Sequence, residues 1–157
     1  MAVVIRRATP ADVDVIADYA GKLAVQHREY DPKRFTCLAN REQMAVFYGS
    51  QTSVEDAAVL VAELDGKVAG FAYIQFEPRN YAALLESAAW LHDIYVDETA
   101  RGHNIGKCLI EASAKAAKEL GADKLMLLAA TENRFAKRLF ERAGFHETMV
   151  EMMLCLD

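Results

Sequence analysis

Hydrophobic and polar positions along this chain follow two periods, and the switches between them mark out the elements. Val3 to Arg7 is a short β-prone run. It gives way at 9-TPAD-12, where Thr9 can cap a helix, Pro10 fits its first turn and Asp12 faces its positive end. Val13, Ile16, Ala17, Ala20 and Leu23 then recur at helical spacing. That stripe predicts a helix fraying near 27-HREYDPKRF-35, a polar connector that contains Pro32. A second helix is expected over Asn40 to Tyr48. The run 57-AAVLVAELDGKVAGFAYIQFE-77 reads as two apolar strands around Asp65-Gly66, which supplies the two positive-φ residues of a type I′ hairpin turn.

Residues 79-RNYAALLESAAW-90 carry no single period and are open between loop and strand, whereas Trp90 to Val96 is strand-like. Ile105, Leu109, Ala112, Ala116 and Leu120 give the inward stripe of a further helix, with Gly121 as its stop. The run 124-KLMLLAA-130 predicts a buried strand. Asn133 opens another helix carrying Phe135, Ala136, Leu139, Phe140 and Ala143, closed by Gly144. A last strand is expected from Phe145 to about Leu156. The order β-α-α-β-β-β-α-β-α-β describes an α/β (α+β) domain with helices packed on a mixed sheet.

Composition narrows the class. With 157 residues, the chain reads as one domain over 1–157. A net charge of −5 argues against a general nucleic-acid binder and suits a cationic small substrate, although acidity also serves solubility. Three scattered cysteines, Cys37, Cys108 and Cys155, form neither a CxxC pair nor a metal-ligand spacing, so no metal is expected. No run approaches the roughly 18 apolar residues of a membrane span, and MAVVIRRATP does not resemble a signal peptide. The expectation is a cytoplasmic domain without membrane attachment.

The stretch 101-RGHNIGKCLI-110 carries the chemistry. Strand, glycine-bearing loop and helix start form a phosphate-binding arrangement, because free amides and the helix dipole point outward there. It is not a Walker A loop: three residues separate Gly102 from Gly106, and Cys108 follows Lys107. Nor is it a dinucleotide loop, since position 104 is Asn. Glycines serving only chain geometry at a helix entry remain the other reading of the loop alone.

Three motifs in order resemble the GNAT superfamily of N-acetyltransferases. Val96-x4-Arg101-Gly-x-x-Ile-Gly106-Lys-x-Leu109 is similar to its acyl-CoA loop, 131-TENRFAKRLFERAGF-145 to its Asn-x-x-Ala…Gly-Phe segment, and 61-VAELDGKVAGFA-72 to its central hairpin. The resemblance spans nearly the whole chain. It implies a GNAT-like mixed central sheet of six to seven strands with about four helices, and acetyl-CoA as co-substrate without metal. It places the pyrophosphate on the amides of Gly102, His103, Asn104, Ile105, Gly106 and Lys107, with Arg101 near the phosphates. The pantetheine arm would run along Ile94, Tyr95 and Val96, where a strand amide would polarise the thioester carbonyl. Asn133 would contact that arm with Ala136 beside it, and N-capping is an equally good account of Asn133.

The strand 90-WLHDIYV-96 resembles the diamine-acetylating branch, in which a glutamate faces the acceptor amine. Here that place is held by His92, followed by Asp93. Histidine titrates near pH 6.5 in its unperturbed state and can act as base; a strand histidine satisfied by a neighbour is the competing account. Alternation would turn Asp93 to the opposite face from His92 unless a bulge intervenes. Phe140 stands where the family commonly carries a Tyr that protonates the leaving thiolate. The implied reaction is acetyl transfer to a primary amine of a small metabolite, polyamine or amino-acid-like. A protein or peptide acceptor, or a non-catalytic acyl-CoA-binding domain, are the alternatives. A homodimer is a further expectation, through pairing or exchange of 149-MVEMMLCL-156, with an ordinary buried strand as the simpler account.

Overall fold

A computed structural model describes residues 2–156. Its frame is one five-stranded sheet in the order β1-β2-β3-β4-β5, formed by β1 (Val3–Arg7), β2 (Ala57–Leu64), β3 (Lys67–Glu77), β4 (Ala88–Val96) and β5 (Leu125–Met126). The first four run as an antiparallel meander, and β5 joins β4 in parallel. The β2–β3 turn sets Asp65 at φ 53° and Gly66 at φ 78°, the two positive-φ residues a type I′ turn requires.

Four helices cover the sheet: α1 (Val13–Tyr30), α2 (Arg41–Gln51), α3 (Ile105–Glu119) and α4 (Arg134–Arg142). The sheet is packed on both faces, which is why the β2 sequence AAVLVA is apolar without alternation. Val59, Val61, Phe71, Tyr73 and Tyr95 pack against Ile16 and Tyr19 of α1 and Tyr48 of α2. Leu60, Ala72, Ile74 and Leu91 pack against Ile105, Leu109 and Ala116 of α3 on the other face. Gly70 has a specific role in this stack: a Cβ there would lie 2.6 Å from the Tyr95 carbonyl oxygen, so only glycine lets β3 approach β4 at that point.

Several expectations need correction. Residues 10–12 form a short 3₁₀ turn, in which Thr9 N–H donates to Asp12 Oδ2 at 2.7 Å. Arg6 holds the same carboxylate at 2.8 and 3.0 Å, and this pairing keeps the buried Asp12 below the usual carboxylate range. α1 ends inside the connector expected at 27–35. It runs on to Tyr30, with His27 Nδ1 2.8 Å from the Leu23 carbonyl oxygen, and stops shortly before Pro32. α2 reaches Gln51, started by a capping box between Asn40 and Gln43.

The largest departures lie at the C-terminal end. The strand expected over 124–130 pairs only at Leu125 and Met126. No strand forms between Phe145 and Leu156, so the described sheet has five strands rather than six or seven. A strand is completed by its neighbour, and neither segment has one beyond those two residues. Phe135, one of the apolar residues carried by the helix that Asn133 opens, is 75% exposed on α4. Among the described residues no helix is long and apolar enough to cross a membrane.

Candidate active site

The site follows from the way β4 treats its two neighbours. It pairs with β3 at every residue but His92, and with β5 only at Ala89 and Trp90. Beyond Trp90 the strands part, and a cleft of about 300 Å³ opens between them. Ile94, Tyr95 and Val96 line one wall, Leu127 to Ala130 the other, and α4 closes the base through Asn133, Ala136 and Phe140. Arg101 and Gly106 border one end and His92, with His27 from α1, the other.

The loop end is built for an anion. Tyr19 Oη donates to the Val68 carbonyl at 2.9 Å and to Asp97 Oδ2 at 3.1 Å, fixing the exit of β4 to α1 and β3. Asp97 Oδ1 in turn accepts from Thr99 N–H at 3.1 Å, and that bond holds the Asp97 carboxyl below the ordinary range. A 3₁₀ turn over Glu98–Ala100 then leads into the loop. Gly102 adopts φ 88° and Asn104 φ 60°, so the asparagine takes the left-handed conformation a glycine would otherwise supply. Among the described residues none of the amides from Gly102 to Lys107 meets an acceptor. They lie at the positive end of the fifteen-residue α3, which is an anion site by geometry.

The other loop side chains have local partners. His103 Nδ1 sits 3.0 Å from the Ala100 carbonyl oxygen, Ile105 is buried in the core, and Lys107 lies 3.9 Å from Glu111. A Cβ at Gly106 would meet Leu139 Cδ2 at 2.9 Å, so this glycine also lets α3 approach α4. Asn133 Oδ1 accepts from Ala136 N–H at 3.2 Å: the cap is formed, and the residue borders the cleft as well. Phe140 is buried against Phe145, with ring centroids 5.8 Å apart, and lines the cleft without a proton to give.

At the opposite end a β-bulge sets which way the side chains face. The β3–β4 register steps from Tyr73↔Asp93 to Ile74↔Leu91, leaving His92 as an extra residue. The step turns His92 and Asp93 to the same face, contrary to simple alternation. His92 stacks between Tyr73 and Trp90, at centroid distances of 5.7 and 6.3 Å. Its Nε2 lies 2.6 Å from Glu77 Oε1 at the end of β3. Asp93 points instead at α2, where Tyr48 Oη donates to its Oδ2 at 2.6 Å. Burial raises the Asp93 carboxyl above its ordinary value, against the opposing pull of the Tyr48 bond. Burial likewise pushes the Tyr73 hydroxyl up to about 12. Sequence reasoning did not single out Glu77 as the partner of His92 or Tyr48 as that of Asp93, since nothing in local spacing reveals partners 15 or 45 residues away. Among the described residues no group of three or more His, Cys, Asp or Glu side chains could hold a metal.

Comparisons with known proteins identify the family. The model of the acetyltransferase (GNAT) family matches residues 24–145, and the chain belongs to that family. It is an acetyl-CoA-dependent N-acetyltransferase. The uncharacterised N-acetyltransferase YhfO of Bacillus subtilis is 27% identical over 153 residues, covering 98% of this chain and 96% of that protein. The mycothiol acetyltransferase of Cellulomonas flavigena is 28% identical over 66% of this chain and 31% of its own. Among solved structures, a mutant of the BH1408 protein of Bacillus halodurans superposes with a TM-score of 0.81 at 23% identity, covering 98% of this chain and 99% of that one. The aminoglycoside N-acetyltransferase AAC(6')-Iy in complex with CoA gives 0.77 at 16% identity, covering 99% and 95%. These two likenesses concern the fold.

Proposed function

We propose that the enzyme acetylates a primary amine of a small cationic metabolite, polyamine or amino-acid-like, with His92 as the base. The observation that carries this reading is the His92–Glu77 pair at the mouth of the cleft whose other end holds six acceptor-free amides. Acetyl-CoA supplies an already activated acyl group, so an amine can attack it without a covalent enzyme intermediate. The amides of Gly102 to Lys107 hold the pyrophosphate, with Arg101 beside them. The free edge of β4 at Ile94 to Val96 holds the pantetheine arm, and Asn133 and Ala136 border it from α4.

An alkylammonium ion with a pKa of about 10.4 must lose a proton before it attacks. His92 Nδ1, the ring nitrogen left free when Nε2–H donates to Glu77, takes that proton, directly or through water. Glu77 orients the ring and offsets the imidazolium charge that forms. The carboxylates of Glu77 and Asp93, with the faces of Tyr73 and Trp90, favour a cation at this end. Phe140 has no role in proton transfer; a thiol of pKa about 8.5 leaves acceptably as thiolate near neutrality.

Thiol release from acetyl-CoA across a panel of polyamines, amino acids and short peptides tests the reading. Turnover on a small amine is expected, falling by about 100-fold or more in His92→Ala with loss of the acid limb of the pH profile. Glu77→Gln should lower kcat by a smaller factor while leaving CoA affinity unchanged. Turnover on peptides alone would replace the acceptor class. CoA binding without any turnover would leave an acyl-CoA-binding domain. An unchanged kcat/KM and pH profile in His92→Ala would remove the histidine from the mechanism.

A further inference from the structure

Acetylation of an alkylammonium ion moves two protons, and His92 accounts for one of them. The ammonium loses the first before its nitrogen can attack. The adduct then carries a second on that nitrogen, which must leave as the amide forms and the C–S bond breaks. Phe140 can neither take nor give it. The cleft, however, holds another histidine: His27, in the last turn of α1, borders the same end as His92.

The His27 ring is fixed on one side and free on the other. Its Nδ1 lies 2.8 Å from the Leu23 carbonyl oxygen, and a carbonyl only accepts, so Nδ1 carries the ring hydrogen. The neutral ring therefore keeps its lone pair on Nε2, which meets no hydrogen-bond partner among the described residues. Tyr30 and Phe35 hold the ring edge-on, with centroids 5.6 and 5.0 Å away. A histidine held in this way is suited to carrying a proton.

The groups that bear on its charge come from three elements. On α1, Arg28 and Glu29 are exposed, and the negative end of the helix favours an imidazolium. In the loop that follows, Asp31 caps the helix, and Arg34 stands over Phe35 but is paired with Glu151. β4 brings His92 and Asp93, and the buried Asp93 carboxyl lies within reach of the charge on either histidine. The facing wall of Leu127 to Ala130 with Phe135 brings none.

We propose that His27 is the second proton carrier of the acetyl transfer: its Nε2 takes the proton left on the adduct nitrogen and passes it to the departing thiolate. This rests on the reading above, in which His92 takes the first proton. As the C–S bond breaks, its electron pair goes to sulfur, and His27 returns to its neutral form when the sulfur is protonated. His92 releases its own proton to water. An alkylammonium ion and acetyl-CoA thus give the amide, the CoA thiol and one proton.

The single-turnover rate with acetyl-CoA bound and amine saturating, followed from about pH 5 to 8, tests the assignment. Both histidines must start neutral. On the acid side the logarithm of the wild-type rate should therefore climb with a slope of about two, and that of His27→Asn with a slope of about one. His27→Asn keeps a donor for the Leu23 carbonyl and should lower the rate by about tenfold or more, with CoA affinity and acceptor KM within about twofold. His27→Gln, the second variant, should behave alike, both with unchanged far-ultraviolet circular dichroism. An unchanged rate and slope in both variants, or a wild-type slope of about one, would overturn the inference and leave His92 as the base. A loss confined to CoA affinity or acceptor KM would also overturn it, reducing His27 to part of the wall. A silent His92→Ala, with the whole acid limb lost in His27→Asn, would overturn this inference and the reading of His92 together.

Discussion

β4 has one closed side and one open side, and the contrast separates what holds this protein together from what makes it an enzyme. Toward β3 the strand is paired from Ala88 to Val96, with buried side chains on both faces. Toward β5 it pairs at Ala89 and Trp90 and then leaves its edge free along the cleft. Unsatisfied backbone groups cost stability in a core but serve as ligands where a co-substrate arrives. The closed side is insensitive to which acceptor is used, and the open side is where groups that bind and react can afford to stand unpaired.

Substitutions on the two sides should therefore fail in different ways. The largest effect is expected from Phe71→Ala, which empties a fully buried site between β3 and the helices and should cost about 3–5 kcal/mol in denaturant unfolding. The part that remains folded should bind CoA normally, and a selective loss of CoA affinity would blur the contrast. Next comes Tyr48→Phe, which leaves Asp93 without its donor at a cost of about 1–3 kcal/mol near neutral pH. The sign with pH is fixed by the raised carboxyl. A folded-state pKa above the unfolded value, about 3.9, means that stability falls as pH rises through the folded value. Losing the Tyr48 bond, which pulls the other way, deepens that fall, so unfolding at pH 4 should show a smaller deficit than at pH 8.

On the open side the effects should be smaller in stability and concentrated in binding. Gly102→Ala places a side chain at φ 88°, a strain of about 1–2 kcal/mol that sets its loss in unfolding, and should weaken CoA in calorimetry. Asn104→Gly should have the smallest effect. Asn104 already holds φ 60° without a capping hydrogen bond, so glycine keeps the turn and CoA affinity should hold or improve. A tenfold loss would make the Asn104 side chain a ligand itself.

The closed side was also the legible one. Helical stripes, the Asp-Gly turn and the unbroken apolar run of β2 are local signals, and they place β1 through α3 in order. Asn104 was legible too, since tolerance of positive φ belongs to the residue type. What escaped depends on neighbours. The apolar run to Leu156 says that a strand wants a partner without saying which one, and the 124–130 run cannot reveal that β4 turns away from it after Met126. The face of Asp93 depends on the register between two strands, which neither strand encodes alone. Phe135 belongs to the helical stripe yet stands at the rim of the cleft, where the pattern of a buried helix face does not apply.

The extra residue at His92 has one more consequence. A bulge uncouples the two lengths of strand on either side of it, much as an expansion joint lets two spans of a bridge move separately. On the proposed reading, the strand from Ile94 onward would serve the unvarying coenzyme A, while Trp90 to Asp93 would face whichever amine is brought to it. The acceptor end can therefore be remodelled, even by an inserted or deleted residue at the joint, without shifting the register that serves the thioester.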